Sequence, residues 1–183
     1  MSAPEAQAPP ALPRARTTGR YVVELVCLGN ICRSPTAHVV LAERVAEAGL
    51  GDIVEVSSSG TGDWHVGGPM DRRAAAALTR AGYDATRHRA RQHDPGEGVD
   101  LVLAMDESNL ADLGGRSDRT AKFRDFDSTE PGSDVPDPYY GGDDGFEEVL
   151  AMVERTASAI VDALRREQPW AEPAQDDRGT TTP

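Results

Sequence analysis

A thiol and a guanidinium flank a short loop that joins a predicted strand to a predicted helix. Cys27 and Arg33 lie in the stretch VCLGNICRSP, residues 26–35, which follows the apolar run of residues 21–26. Free backbone N–H groups and the helix dipole make such a strand–loop–helix junction a site for anions. A nucleophile and a phosphate-binding cation at this junction indicate hydrolysis of a phosphate ester through a cysteine.

Cys27 is the candidate nucleophile, and the alternative is that it is a structural cysteine in the core, where this residue type is common. The alternative leaves Arg33 beside a core loop without an anionic partner, which is costly. A helix N-terminus together with Arg33 favours the reactive thiolate form. Arg33 can also bind two phosphoryl oxygens at once, which a lysine cannot do.

The other polar residues of the Cys27–Ser34 loop have predicted supporting roles. Gly29 and Asn30 tolerate the left-handed conformations that turn N–H groups inward. The Ser34 hydroxyl can hydrogen-bond the sulfur, and it is also the predicted N-cap of the helix, with Pro35 at the first helical position. Ser58, at the end of the second predicted strand, is the expected partner of Asn30.

A leaving alkoxide or phenolate needs a proton, so a general acid must lie elsewhere in the chain. Asp137 is the candidate because it stands between two prolines and just before Tyr139 and Tyr140. The two prolines restrict the backbone on either side of Asp137, as is typical of a loop that holds a functional residue in place. The alternative is a simple Asp-Pro turn, and Asp134 is the second choice of acid.

The pattern of the chain predicts one α/β domain with a mostly parallel sheet over residues 20–168. The predicted strands cover residues 21–26, 53–59, 99–105 and 122–126, and the predicted helices cover 34–48, 71–81, 106–113 and 146–164. Sites in such folds lie at the carboxyl ends of strands, where the Cys27–Ser34 loop lies. Residues 1–19 and 169–183 are predicted to be disordered tails.

The composition excludes several classes of protein. The net charge of −12 argues against a nucleic-acid-binding protein. The absence of an apolar run of about 18 residues and of a signal-peptide pattern predicts no membrane span and a cytoplasmic location, with export by a signal-less route left open. Two cysteines, both near the loop, argue against a disulfide framework.

One segment is basic although the chain is acidic. Residues 72–93 contain six arginines and one aspartate. They either rim a site for one anionic group or form a solvated surface. His65 and His93 lack the spacing of metal ligands and are interpreted as surface residues.

The chain resembles the low-molecular-weight protein tyrosine phosphatases. The stretches that carry the resemblance are residues 26–35, 59–67, 69–74, 88–92, 105–110 and 137–140. The resemblance implies a four-stranded parallel twisted sheet flanked by helices on both faces, and hydrolysis of protein phosphotyrosine without metal or cofactor. It assigns Cys27 as nucleophile, Arg33 as phosphate clamp, and Asp137 as acid and then base.

The resemblance also implies roles for residues around these three. Asn30, Ser34, Ser58 and His88 would support the site, and Cys32 would form a reversible disulfide with Cys27 that prevents over-oxidation. A slot walled by aromatic rings suits phosphotyrosine better than the shorter phosphoserine. The phosphate-binding loop would also include Leu28, Gly29 and Ile31. The walls of the slot would be Trp64, Tyr139 and Tyr140, together with Ile31.

Two other functions are compatible with the same residues. One is an arsenate reductase, although no cysteine follows Cys32 to relay electrons. The other is a non-catalytic module that binds phosphotyrosine or senses oxidation. We expect a monomer whose partners are phosphotyrosine proteins and a cognate tyrosine kinase, for which Tyr139 and Tyr140 are candidate targets.

Overall fold

A computed structural model of the chain describes residues 8–173. The strands are β1 (Tyr21–Cys27), β2 (Val54–Gly60), β3 (Leu101–Ala104) and β4 (Thr120–Lys122). The helices are α1 (Arg33–Glu47), α2 (Arg72–Arg80), α3 (Glu107–Asp112) and α4 (Asp144–Glu167). All strand pairs are parallel, in the order β2-β1-β3-β4, which confirms the predicted four-stranded α/β fold.

The two faces of the sheet follow from the alternation of side chains along β1. Tyr21, Val23, Leu25 and Cys27 join the main core, to which α1, α2 and α4 contribute. The crossover from β1 to β2 runs in the opposite direction from that between β3 and β4. Because such crossovers are right-handed, α1 and α3 lie on opposite faces of the sheet.

The order of the strands places the Cys27–Ser34 loop at the point where the topology reverses. One crossover leaves β1 toward β2, and the next skips β1 to reach β3. At such a switch point the loops after neighbouring strands diverge and leave a crevice at the carboxyl ends. Cys27, the last residue of β1, stands in that crevice.

The fourth strand differs from the prediction. The sequence predicts a strand over residues 122–126, whereas β4 ends at Lys122 and a 3-10 helix covers Phe123–Phe126. The Asp125 carboxylate accepts the backbone N–H of Lys122 at 2.9 Å and so closes the turn. Phe123 and Phe126 are both buried, and their separation of three residues matches one 3-10 turn rather than the alternation of a strand.

The prediction of disordered tails is wrong for the parts that the structure describes. Leu12 is buried, and its backbone N–H donates to Glu167 at the end of α4 at 2.7 Å. The N–H groups of Ala15 and Gly19 donate to the carbonyls of Pro169 and Trp170 at 3.0 and 2.9 Å. The two terminal segments therefore fasten each other; residues 1–7 and 174–183 lie outside the described residues.

Candidate active site

Cys27 lies at the floor of the candidate site, buried, with its Sγ 3.0 Å from the Ser34 Oγ. Helix α1 begins at Arg33, so Ser34 is inside its first turn and the predicted N-cap is wrong; the N-cap position is Cys32, whose side chain makes no capping bond. The hydroxyl of Ser34 is thereby free to face the sulfur. The unpaired N–H groups of the first helical turn are directed at the same place.

Asn30 fixes the shape of the loop through its backbone and its side chain. It has a left-handed conformation, with φ 54°, whereas Gly29 does not. Its Nδ2 donates to the Oγ atoms of Ser34 and Ser58 at 2.9 and 3.0 Å, the Ser58 bond being as predicted. Its Oδ1 accepts the backbone N–H of Arg91 at 3.0 Å, and its carbonyl oxygen lies 2.7 Å from the His88 Nε2.

Two neutral histidines stand behind the loop. Burial lowers the pKa of His88, and because a carbonyl only accepts, the Nε2–H of His88 donates to Asn30. His38, which sequence reasoning missed, lies with its Nδ1 3.2 Å from the Ser58 Oγ. Burial, together with the positive charge of the nearby Arg91, lowers its pKa to about 4. These two histidines therefore support the loop through hydrogen bonds and carry no charge themselves.

Arg33 is buried and already oriented. It forms an ion pair with Asp106, donates to the carbonyl of Val135 at 3.2 Å, and lies 3.5 Å from the Asp137 carboxylate. Burial alone would lower the pKa of Arg33, but the hydrogen bond to Asp106 and the surrounding negative charges raise it. Asp106 is a site residue that sequence reasoning missed; its signal is its position just after β3, the strand beside β1.

The loop that carries Asp137 is anchored on its N-terminal side. The N–H of Val135 donates to the carbonyl of Met105 at 2.8 Å. Asp134 forms an ion pair with Lys122 at 3.0 Å and accepts the N–H of Glu107 at 3.1 Å. Asp134 is thus occupied as an anchor and does not line the cavity, whereas Asp137 does.

Arg73, at the start of α2, anchors the other side of this loop. Its guanidinium donates to the carbonyl of Tyr139 at 2.9 Å and lies 5.6 Å from the centre of the Tyr139 ring and 4.7 Å from that of Phe146. The predicted cap of α2, Asp71, accepts the N–H of Arg73 at 2.8 Å. Asp137 is therefore held between two fixed points.

These elements enclose a cavity of about 270 Å³ with the thiol at its floor. Trp64 and Tyr140 are mostly exposed, and the rings of Tyr139 and Tyr140 meet edge to face at 5.0 Å. Gly62 lets the Trp64 ring approach, since a Cβ on Gly62 would lie 1.8 Å from that ring. The lining residues are Cys27, Leu28, Gly29, Ile31, Cys32, Arg33, Trp64, His65, Asp137, Tyr139 and Tyr140.

The two histidines that the sequence predicts to be surface residues, His65 and His93, both contact other parts of the fold. His65 lines the cavity, and its ring limits the space at Gly29. His93 is largely buried against Glu24, so the prediction of a surface residue is wrong for it. Within the basic segment, Arg73 and Arg91 support the site, while Arg72, Arg87 and Arg89 are exposed.

Cys32 and Cys27 are both free thiols. Burial, together with the negative charges of Asp71, Cys27 and Asp137, raises the pKa of Cys32. Cys32 is therefore a neutral thiol at the wall of the cavity, where Cys27 forms the floor. Of the two thiols, Cys27 at the floor of the cavity is therefore the candidate nucleophile.

Residues 8–173 contain no helix long and apolar enough to cross a membrane. Within the same range, no group of three or more His, Cys, Asp and Glu side chains is arranged to hold a metal ion. What the described site does offer is a thiol, a fixed guanidinium and a row of backbone N–H groups. At the switch point of a parallel sheet, these features define a cysteine-dependent phosphatase.

Comparison with known proteins identifies the family. Residues 22–169 match the family described as low molecular weight phosphotyrosine protein phosphatase. The low molecular weight protein-tyrosine-phosphatase of Streptomyces coelicolor is 45% identical in an alignment of 157 positions that covers 80% of this chain and 95% of that protein. The pig enzyme of the same family is 38% identical over 78% of this chain and 95% of its own.

Solved structures agree with the sequence matches. The crystal structure of a protein tyrosine phosphatase from Entamoeba histolytica with Hepes in its active site has a TM-score of 0.76 and 30% identity, covering 81% of this chain and 99% of that one. The chain belongs to the low molecular weight phosphotyrosine protein phosphatase family, whose members are hydrolases that act without a metal ion.

Proposed function

We propose that this protein hydrolyses phosphotyrosine in proteins through a phosphate ester of the Cys27 thiol. One observation carries the proposal: Cys27, Arg33 and Asp137 line a single cavity whose walls include the rings of Trp64 and Tyr139. A thiol, a phosphate clamp and a proton donor are the three groups that this reaction requires.

Substrate binding uses groups that are already in place. The phosphoryl oxygens accept the N–H groups of the Cys27–Ser34 loop and the guanidinium of Arg33, whose orientation is fixed by Asp106. When the phosphoryl group binds, it breaks the contact between Arg33 and Asp137, which is weak because the two atoms are 3.5 Å apart. Asp137 then faces the ester oxygen of the substrate.

The first chemical step forms the phosphoenzyme. The thiolate of Cys27 attacks phosphorus and forms the S–P bond as the bond between phosphorus and the phenolic oxygen breaks. The carboxylic acid of Asp137 gives its proton to the departing oxygen, so the product leaves as a neutral phenol. Backbone N–H groups and Arg33 stabilise the charge on the equatorial oxygens.

The second step releases phosphate. The carboxylate of Asp137 takes a proton from a water molecule that attacks phosphorus, and the S–P bond breaks. The Ser34 hydroxyl, 3.0 Å from the Cys27 Sγ, donates to the sulfur and makes it a better leaving group. Inorganic phosphate leaves, and the thiolate is regenerated.

The aromatic walls support phosphotyrosine as the substrate. A phenyl ring reaches from the cavity mouth to Cys27, and flat walls from Trp64 and Tyr139 suit it. Phosphoserine is too short to bring its phosphorus to the buried sulfur. The names of the relatives from Streptomyces coelicolor and Mycobacterium tuberculosis, both protein-tyrosine phosphatases, also support this assignment.

The test uses purified protein in a reducing buffer with EDTA. We expect turnover of aryl phosphates, its loss in Cys27→Ser with retained binding of phosphotyrosine peptide, and substrate trapping by Asp137→Ala. Asp134→Ala is the matched control in the same loop: its carboxylate lies outside the cavity, so this variant should lose less activity than Asp137→Ala and should not trap substrate. Absence of turnover by the wild type, or full activity of Cys27→Ser, would remove the proposal.

The proposal also includes the cellular location, the oligomeric state and the partner kinase of the enzyme. It acts as a cytoplasmic monomer beside a cognate tyrosine kinase, and Tyr140, which is 91% exposed, is the more accessible target for that kinase. Phosphosite mapping after incubation with bacterial tyrosine kinase tests the last point. Light scattering of the purified protein tests the oligomeric state.

A further inference from the structure

A fully buried carboxylate lies in the middle of β1, three residues before Cys27. Glu24 is on the face of the sheet opposite the main core, because the residues on both sides of it, Val23 and Leu25, belong to that core. Its two oxygens accept hydrogen bonds from the guanidinium of Arg91 at 2.9 Å and from the His93 Nδ1 at 3.1 Å.

Arg91 connects this carboxylate to the Cys27–Ser34 loop. Its backbone N–H donates to the Asn30 Oδ1 at 3.0 Å, and its Nε donates to the carbonyl of Ser58 at 3.0 Å. Asn30 in turn donates to Ser34, whose Oγ lies 3.0 Å from the sulfur of Cys27. A continuous row of hydrogen bonds therefore runs from Glu24 to the nucleophile.

Stability alone does not explain a charge at this position. Burying an ion pair removes both charges from water at a cost that their attraction often does not recover, and well-packed apolar residues commonly stabilise a fold as well or better. Burial of Glu24 opposes its ionisation, but the hydrogen bond from His93 and the charges of His93 and Arg91 lower its pKa overall. The main structural effect of the charge on Glu24 is therefore that it holds the Arg91 side chain in one position.

We propose that Glu24 is a positioning residue for the reaction: by holding the Arg91 side chain, it fixes the Arg91 N–H that keeps Asn30 in its left-handed conformation. The inference rests on the proposed function of the Cys27–Ser34 loop. Loss of the carboxylate leaves the Arg91 side chain with its bonds to Ser58 and the exposed Glu97. Arg91 is then held less firmly, and Asn30 orients Ser34 less well. The nucleophile and the anion site lose their alignment while the fold remains.

A purely structural role makes a different prediction. The backbone of this segment is also held by β2, since Gly60 donates to the carbonyl of Arg91 at 2.9 Å and His93 donates to the carbonyl of Gly60 at 2.8 Å. If these bonds suffice, removing the charge of Glu24 lowers stability without changing the loop. The experiment must therefore measure loop order and catalysis separately from stability.

Glu24→Gln removes the charge and keeps the shape. We expect kcat for an aryl phosphate to fall about tenfold, with a smaller change in KM, and amide hydrogen exchange of residues 28–34 to become faster. Glu97→Gln is the matched control, since Glu97 is an exposed partner of the same guanidinium at 2.7 Å. It should match the wild type in both measurements.

Two further variants separate positioning from stability. Glu24→Asp retains a carboxylate and should recover part of kcat. Ile160→Val, in the core of α4, lowers the thermal midpoint without touching the network and should leave kcat unchanged. Should Glu24→Gln fail to fold, Arg91→Lys replaces it; this variant keeps the N–H but cannot bridge Glu24 and Ser58, and should show the same loss.

Different results would contradict the positioning role of Glu24 and the proposed function. The positioning role would be overturned if Glu24→Gln showed the same hydrogen exchange at residues 28–34 as the wild type, together with a kcat within about twofold of that of Glu97→Gln. If the wild type itself shows no turnover, the proposed function fails. The exchange comparison does not depend on turnover and still reports whether Glu24 orders the loop.

Discussion

The carboxylate of Asp106 binds the guanidinium of Arg33 with one oxygen and the start of α3 with the other. Its Oδ2 forms the ion pair with Arg33, and its Oδ1 accepts the N–H of Asn109 at 2.7 Å. One side chain thus caps a helix and orients the phosphate clamp. These two roles can be separated by mutation.

Asp106→Asn retains an oxygen for the cap but loses the ion pair. We expect stability close to that of the wild type and a roughly tenfold loss of kcat/KM for aryl phosphates, because Arg33 is no longer oriented. Asp106→Ala also loses the cap, which costs about 1 kcal/mol of unfolding free energy. Steady-state kinetics and urea denaturation of both variants measure the two effects; equal kcat/KM in Asp106→Asn and the wild type would contradict the role given to this ion pair.

The role of Asp137 predicts a dependence on the leaving group. Asp137→Asn should lose about 10² to 10⁴ in kcat with phenyl phosphate, and less with p-nitrophenyl phosphate, whose leaving group needs less protonation. Asp134→Asn, in the same loop but paired with Lys122, should show no such dependence. A comparison of kcat for the two substrates in each variant measures this. Equal losses with both substrates would mean that Asp137 does not donate the proton.

The left-handed backbone of Asn30 and its side-chain bonds make separable contributions. Asn30→Gly removes the bonds but accepts φ 54° without strain. Asn30→Ala removes the same bonds and adds a backbone cost of about 1 kcal/mol. We expect both variants to lose activity and Asn30→Ala to have the lower thermal midpoint. Identical midpoints would show that the loop relaxes out of the left-handed conformation.

The pair of Glu24 and His93 predicts a pH dependence of stability. The hydrogen bond to Glu24 outweighs burial and raises the pKa of His93 above its ordinary value of about 6.5. Its contribution is therefore complete below about pH 6.5 and is lost as the pH rises through the folded-state pKa of His93. The pKa of Glu24 is lowered, so the carboxylate contributes above its ordinary pKa of about 4.3 and is lost as the pH falls further.

His93→Gln provides the measurement. The difference in unfolding free energy between wild type and His93→Gln should shrink as the pH rises above the folded-state pKa of His93. Arg91 and Glu97 also face this histidine, and both are unchanged in the variant. Urea denaturation at a series of pH values measures the difference; a value independent of pH would mean that His93 is not protonated beside Glu24.

The strand, loop and helix around Cys27 could be predicted from the sequence because their signals are local. Apolar β-branched residues indicate β1, and Pro35 and Gly49 lie at the two ends of the following helix, although Ser34 is not its N-cap. Asp71 likewise has the position of a helix cap and acts as one. Such signals depend on residues within one turn or one strand, so they do not require the tertiary structure.

The partners of the loop could not be predicted in the same way. Asp106 reaches Arg33 only because β3 lies beside β1, and the order of strands is not written in a local pattern. Glu24 is a single charged residue within the apolar run of residues 21–26, and its partners Arg91 and His93 lie more than 60 residues away in the chain. Leu12 is buried because it meets the end of α4, more than 150 residues away in the chain.

The fastening of the two terminal segments has a practical consequence. Residues 12–19 and 169–170 meet near the beginning of β1, at the amino ends of the strands, whereas Cys27 lies at their carboxyl ends. Trimming the chain back to Tyr21 would remove the buried Leu12 and its bond to Glu167, and would expose the end of α4 to solvent.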